Sequence, residues 1–259
     1  MRIEALLFVN WIFWAALSAG TLLVVGVTER LGGTTRGYRL FMAWLLVVFV
    51  AILVASDLTL PLAVEASATA EIRRPLTFTF AAGSVAYLVA SMARWPRSGL
   101  AIGSGVIGLA ALVVLAAAGG TNSDPLFSGQ LILAALALGA VNAAMLLGHW
   151  YLVTPKLSPA PLRRMMWLLF GSLVLQGVVF AVAILAGGTE ALAGELGLLT
   201  WLRLTVGILL PLVVTVLAIL ASSAASLQAS TGLLYIGLAL IMAGSIAGAS
   251  ITYLTGVPV

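Results

Sequence analysis

Apolar residues in this chain fall into eight long stretches, at about 5–28, 39–63, 76–94, 99–119, 128–153, 165–187, 196–221 and 231–255. Each is close to the ~20 residues that an α-helix needs to cross a hydrocarbon core ~30 Å thick. The polar separators carry helix breakers: Gly32-Gly33, Arg74-Pro75, Trp95-Pro96, Asn122 to Pro125, Pro155 to Pro161, Gly187-Gly188 and Ser226 to Thr231. Most separators are short, which predicts antiparallel neighbours. None exceeds about a dozen residues, leaving no room for a soluble domain. The pattern predicts an all-α, polytopic integral membrane protein of eight transmembrane helices forming a single membrane domain, 1–259.

Composition sharpens this by exclusion. Of 259 residues, 63% are hydrophobic and 8% charged, against the ~25% charged that covers a soluble domain. The mean hydropathy of +1.21 excludes disorder as well. Without Cys, the chain holds no disulfide, thiolate zinc site or iron–sulfur cluster of its own, and one His excludes a self-contained bis-His haem. No Walker loop, His-Glu-x-x-His zinc motif or Gly-x-Ser-x-Gly elbow is present, so hydrolytic chemistry has nothing to run on. No intrinsic haem, metal or iron–sulfur cluster is expected.

Basic residues set the predicted orientation. The segments after the first, third and fifth stretches hold Arg30, Arg36, Arg39, Arg94, Arg97, Lys156, Arg163 and Arg164, while the other side holds Arg2, Arg73 and Arg74. Odd-numbered loops are therefore expected in the cytoplasm and both termini outside, in a bacterial or archaeal cytoplasmic membrane. Acidic Asp124, Glu190 and Glu195 on the other side agree. The net charge of +4 mostly expresses this bias and is no argument for nucleic acid. The run after Met1-Arg2-Ile3-Glu4 continues through Val25, beyond the small residues near Ala16 to Ala19, and reads as an uncleaved first helix.

An even helix count invites comparison of halves 1–122 and 123–259. Met42-Ala43-Trp44-Leu45-Leu46 matches Met165-Met166-Trp167-Leu168-Leu169 at an offset of about 123. Two parallel four-helix bundles follow as an architecture.

Ionisable groups inside a bilayer are costly, and function is sought there first. Helical rise puts Asp57, Arg203 and Asn10 at similar depth in the outer third of the membrane. Together they would make one polar site, with an Asp57–Arg203 pair lowering the cost of each. The bland alternatives are that Asp57 marks a helix end and that Arg203 snorkels beside Trp201. His149, in Gly148-His149-Trp150-Tyr151, could relay protons near the opposite face. Asn142 and Gln176 are expected to hydrogen-bond between helices, and Trp11, Trp14, Trp44, Trp95, Trp150, Trp167 and Trp201 to form interfacial belts.

The run Trp11-Ile12-Phe13-Trp14-Ala15-Ala16-Leu17-Ser18-Ala19-Gly20-Thr21, followed by Ala55-Ser56-Asp57-Leu58-Thr59-Leu60-Pro61, resembles the NrfD-like family. These are the membrane subunits of polysulfide reductase and related molybdenum or hydrogenase complexes. Here the family's Asp-Leu-Gly-x-Pro-like motif carries Thr59 in place of Gly. The resemblance implies a haem-free subunit that exchanges electrons and protons with quinone near the outer face. It implies a hydrogen-bonding or proton-accepting role for Asp57 alone; Arg203, Asn10 and His149 rest on depth and polarity.

Three functions fit. A quinone-interacting membrane subunit of a respiratory complex needs only an apolar cleft with a few polar groups, takes quinone as cofactor, and has lipids and redox subunits as partners. A small-solute transporter would use Arg203 for an anion and Asp57 or His149 for protons. A structural subunit would hold an assembly together.

Overall fold

The computed structural model describes residues 3–60, 67–117, 125–154, 157–185, 194 and 197–255. Arg2, Pro61, Asn122, Asp124, Pro155, Lys156, Gly187, Gly188, Glu190 and Glu195, used above, lie outside the described residues. Among the described residues, eight helices are long and apolar enough to cross a membrane. They are α1 (Ile3–Leu31), α2 (Arg36–Thr59), α3 (Ser67–Ala93), α4 (Ser98–Ala117), α5 (Pro125–Val153), α6 (Ala160–Ala183), α7 (Gly197–Ser223) and α8 (Leu227–Thr255). Among the described residues there is no strand.

Where helices begin differs from the apolar pattern, for local reasons. Helix α2 starts at Arg36 because the Thr35 hydroxyl accepts from the Tyr38 backbone N–H at 3.3 Å, capping an orphan donor. Helix α6 starts at Ala160 with Pro161 in its first turn, where a missing N–H costs nothing. The larger departure is α3. Arg74-Pro75 was expected to separate two spans, yet the helix begins at Ser67 and carries Pro75 inside it. Arg73, expected in a loop, is thereby wholly buried. Proline forfeits one backbone bond there, and the contacts of Arg73 described below hold that first part of the helix in place.

Helix α7 is interrupted. It is α-helical over Gly197–Leu204, makes a π-helical turn at Thr205–Leu209, and is α-helical again over Leu210–Ser223. Pro211 supplies the cause: it cannot donate to the carbonyl four residues earlier, at Gly207, and its ring crowds that oxygen. Gly207 lies backbone to backbone against Gly244 of α8, an approach that any Cβ would block.

The eight helices form two closed rings of four. In the first, α1 packs on α2, α2 on α3, α3 on α4 and α4 back on α1. In the second, α5 to α8 repeat that order. The rings meet chiefly through α1 and α5, the two most enclosed helices. Gly20 abuts the Ala135 carbonyl and Gly139 abuts the Gly20 backbone, so the helices touch main chain to main chain. One helical turn along from Gly139, Asn142 Nδ2 donates to Thr21 Oγ1 at 3.2 Å, the interhelical bond expected of Asn142. Trp44 and Trp167, matched by the proposed repeat, are both exposed on the outer surface of their rings. Trp11 is not a belt residue: it is fully buried.

Eight alternating helices bring the start of α1 and the finish of α8 to one end of the bundle, here called the terminal end. At the opposite end Glu29 ties the first ring together. Its carboxylate is 2.7 Å from Arg97 Nε and 3.6 Å from Arg39 Nε, and it accepts from the Tyr87 hydroxyl at 3.2 Å. The turn after α1 uses Gly32 and Gly33 at positive φ, and Arg164 of α6 donates to the Leu31 and Gly32 carbonyls.

Replacing Gly139 by Leu would drive a side chain into the α1 backbone, where nothing can rotate away. The expected cost is ~3 kcal/mol or more, seen as a lower unfolding midpoint of the detergent-solubilised protein, whereas Gly103→Leu, with open space at its Cβ position, should leave the midpoint unchanged.

Candidate functional site

Two buried arginines mark the terminal end, one in each ring. In the first ring, Asp57 stands in the last turn of α2 with no exposed surface. Its Oδ1 accepts from Arg73 of α3 and from Trp11 Nε1 of α1, the latter at 2.8 Å. Its Oδ2 lies 3.7 Å from the half-exposed Arg74 Nε. The Arg73 guanidinium also sits 4.9 Å from the centre of the Trp11 ring, within cation–π range. Asn10 is near but apart, exposed at the α1–α2 seam, where its Nδ2 donates to Ser56 Oγ at 2.7 Å and its Oδ1 accepts from Trp14 Nε1 at 3.1 Å. Asp57 is thus enclosed by cationic and N–H donors of its own ring.

In the second ring, Arg203 is buried on α7 and does not snorkel. Its guanidinium donates to Gln176 Oε1 of α6 at 2.6 Å, and Gln176 Nε2 donates to the Leu133 carbonyl of α5 at 3.1 Å. Among the described residues no carboxylate pairs with Arg203. Its Nε, both amide atoms of Gln130 and the Ser245 hydroxyl are buried without a hydrogen bond to protein. All three residues line one cavity of about 30 Å³ between α1, α5, α7 and α8. The rest of its wall is apolar apart from Thr252, including Ile12, Phe13 and Ala16 of α1 and Leu131 of α5.

The two arrangements are alike in part, although Asp57 stands in the last turn of α2 and Gln176 more than a turn earlier in α6. Arg73 and Arg203 are each the seventh residue of the third helix of their ring. Each bonds a polar side chain of the second helix, Asp57 or Gln176. That side chain in turn bonds the ninth residue of the first helix, Trp11 or Leu133. The difference is electrical. A carboxylate neutralises the first arginine, whereas an amide leaves the second with its full charge in a region made for hydrocarbon.

The expected Asp57–Arg203 pair does not form. At ~100° per residue, Asn10, Trp11 and Trp14 face α2 while Ile12, Phe13 and Ala16 face the cavity. Depth along the helices placed these groups at one level, but α1 stands between them. His149 belongs to neither site: it is exposed, 3.3 Å from the Tyr235 hydroxyl, and lies nineteen residues along α5 from Gln130. Sequence reasoning missed Arg73, hidden by Pro75, and also Gln130 and Ser245. Gln130 had a readable signal, being an amide six residues into α5 at the depth of Arg203. Ser245 had none among so many small residues. No group of three metal-ligating side chains occurs among the described residues.

Asp57→Asn would leave Arg73 facing a neutral amide and is expected to cost ~3–5 kcal/mol of stability. A lowered thermal unfolding midpoint checks this, with Glu71→Gln on the exposed face of α3 as an unaffected control.

Compared with family models, curated proteins and solved structures, the chain matches none.

Proposed function

We propose that this chain is a small-solute transporter whose binding site is the cavity at Arg203. The observation that carries the reading is a buried guanidinium on an interrupted helix, uncompensated among the described residues and lining a cavity with polar groups that have no partner among them. A charge held in hydrocarbon is a functional group by default, because nothing structural repays its cost. Interrupted helices recur at transporter sites, where freed backbone groups meet the ligand, and π turns recur at functional sites. The π turn separates the half of α7 that bears Arg203 from the half that packs on α6. The first ring is the scaffold in this reading, pinned near its two ends by Asp57 and Glu29. Its arginine-rich end faces the cytoplasm of a bacterial or archaeal cell, so the termini and the Arg203 cavity lie toward the outside.

A second reading keeps the quinone-facing subunit of a redox complex, favoured by the apolar wall of the same cavity. Quinone carbonyls accept hydrogen bonds, which Arg203, Gln130 and Ser245 are able to donate. In this version the quinone site keeps Arg203 and loses Asp57 and Asn10, with one carbonyl at the cavity and the ring, too large for about 30 Å³, outside it. Iron–sulfur, haem or molybdenum proteins co-purifying stoichiometrically from the native membrane would favour it over transport.

Reconstitution into lipid vesicles tests the transport reading, with uptake of labelled acetate, chloride, lactate and sulfate followed under imposed gradients. At least one should enter faster than into protein-free vesicles, and Arg203→Gln should slow it at least tenfold. If none enters faster, the transport reading falls.

A further inference from the structure

We infer that the ligand of the Arg203 cavity is a small monovalent carboxylate, of formate to acetate size. The inference rests on the reading of this cavity as a solute site and adds the chemistry of the solute.

Charge comes first. The described residues bring one guanidinium and no acid to the cavity, so a single negative charge makes the site neutral. A second would be as uncompensated as Arg203 is without a ligand, in surroundings equally unable to solvate it. The equivalent position in the first ring gives an internal comparison: there a carboxylate, that of Asp57, meets Arg73 from the protein itself. In the second ring the arginine meets Gln176 instead, whose amide oxygen accepts one bond while supplying no charge. Of the two buried arginines, the described residues provide a carboxylate for Arg73 and none for Arg203.

Geometry selects the shape of the anion. With Nη2 of Arg203 committed to Gln176, its Nε remains without a partner and can donate to one oxygen of a bound anion. An oxyanion offers that N–H one oxygen and leaves a second for other donors, which a chloride ion does not; sulfate is excluded by its second charge. The Gln130 amide and the Ser245 hydroxyl supply further donors from α5 and α8, and neither has another partner. Volume bounds the size, since about 30 Å³ admits roughly two water-sized groups. The wall formed by Ile12, Phe13, Ala16 and Leu131 suits the carbon end of the ligand and offers a second charged end nothing.

Calorimetric titration of the detergent-purified chain with acetate, chloride, sulfate, succinate and acetamide tests this. Acetate should bind at one site per chain, at least tenfold more tightly than each of the others; acetamide has its shape without its charge. Arg203→Gln should weaken acetate at least tenfold. Gln130→Leu and Ser245→Ala, which leave the charge in place, should each weaken it about three- to tenfold, and they decide the matter should Arg203→Gln fail to fold. Undetectable acetate binding, chloride, sulfate or succinate binding as tightly as acetate, or unchanged affinity in both Gln130→Leu and Ser245→Ala overturns the inference. The transport reading fails separately. Acetate binding without flux in vesicles keeps the ligand and removes transport, whereas sulfate flux without acetate binding keeps transport and removes this ligand.

Discussion

Inside a membrane, lipid tails are as apolar as leucine, so helices gain little by hiding apolar surface from them and associate through close packing and hydrogen bonds instead. The contact between α1 and α5 shows how much rests on this. Gly20 and Gly139 let the two main chains touch, and Asn142 reaches Thr21 alongside. That seam joins the two four-helix rings and puts α1 at the centre of the molecule. Because α1 is flanked on both sides, one turn of it serves two sites. Trp11 completes the enclosure of Asp57, and its neighbours Ile12 and Phe13 form a wall of the Arg203 cavity.

The rings share a scaffold and differ in what they do with a buried cation. Arg73 is satisfied by a carboxylate, an indole N–H shares the same carboxylate oxygen, and the indole ring lies alongside the guanidinium. Such a cluster resists rearrangement, since opening it exposes opposite charges to hydrocarbon at once. Arg203 has an amide partner, an unused Nε of its own, and two residues, Gln130 and Ser245, with unused polar atoms beside it. The interruption at Thr205–Leu209 falls in the second ring as well, next to that less satisfied cation. What separates the halves is the carboxylate: Arg73 has one among the described residues and Arg203 has none.

The fold was legible because membrane crossing leaves so few solutions: eight apolar runs of sufficient length become eight helices, and their alternation follows. Residue depth was legible for the same reason, since rise per residue is fixed, which is why Asp57 and Arg203 stood out. What a hydropathy pattern lacks is azimuth. It did not show that Trp11 and Ile12 face different neighbours, and so it merged two sites into one. Pro75 hides Arg73 in another way, because a proline marks a helix end in the pattern where this helix only loses one bond. Gln130 escaped notice because an uncharged amide barely changes mean hydropathy, although buried without partners it carries much of the chemistry.

The π turn in α7 accommodates one residue more than an α-helix of the same rise would. Each residue turns a helix by ~100°, so that single surplus residue sets the angular phase of everything on its N-terminal side relative to the segment from Leu210 onward. Arg203 meets Gln176 and the cavity at the phase the surplus provides. A chain shortened by one residue within Thr205–Leu209 would keep its composition, hydropathy and span count almost unchanged, yet its guanidinium would sweep away from α6 by more than a quarter of a turn. In such a protein, ligand preference can diverge through insertion and deletion as readily as through substitution, and sequence profiles that treat transmembrane gaps as errors would overlook the change.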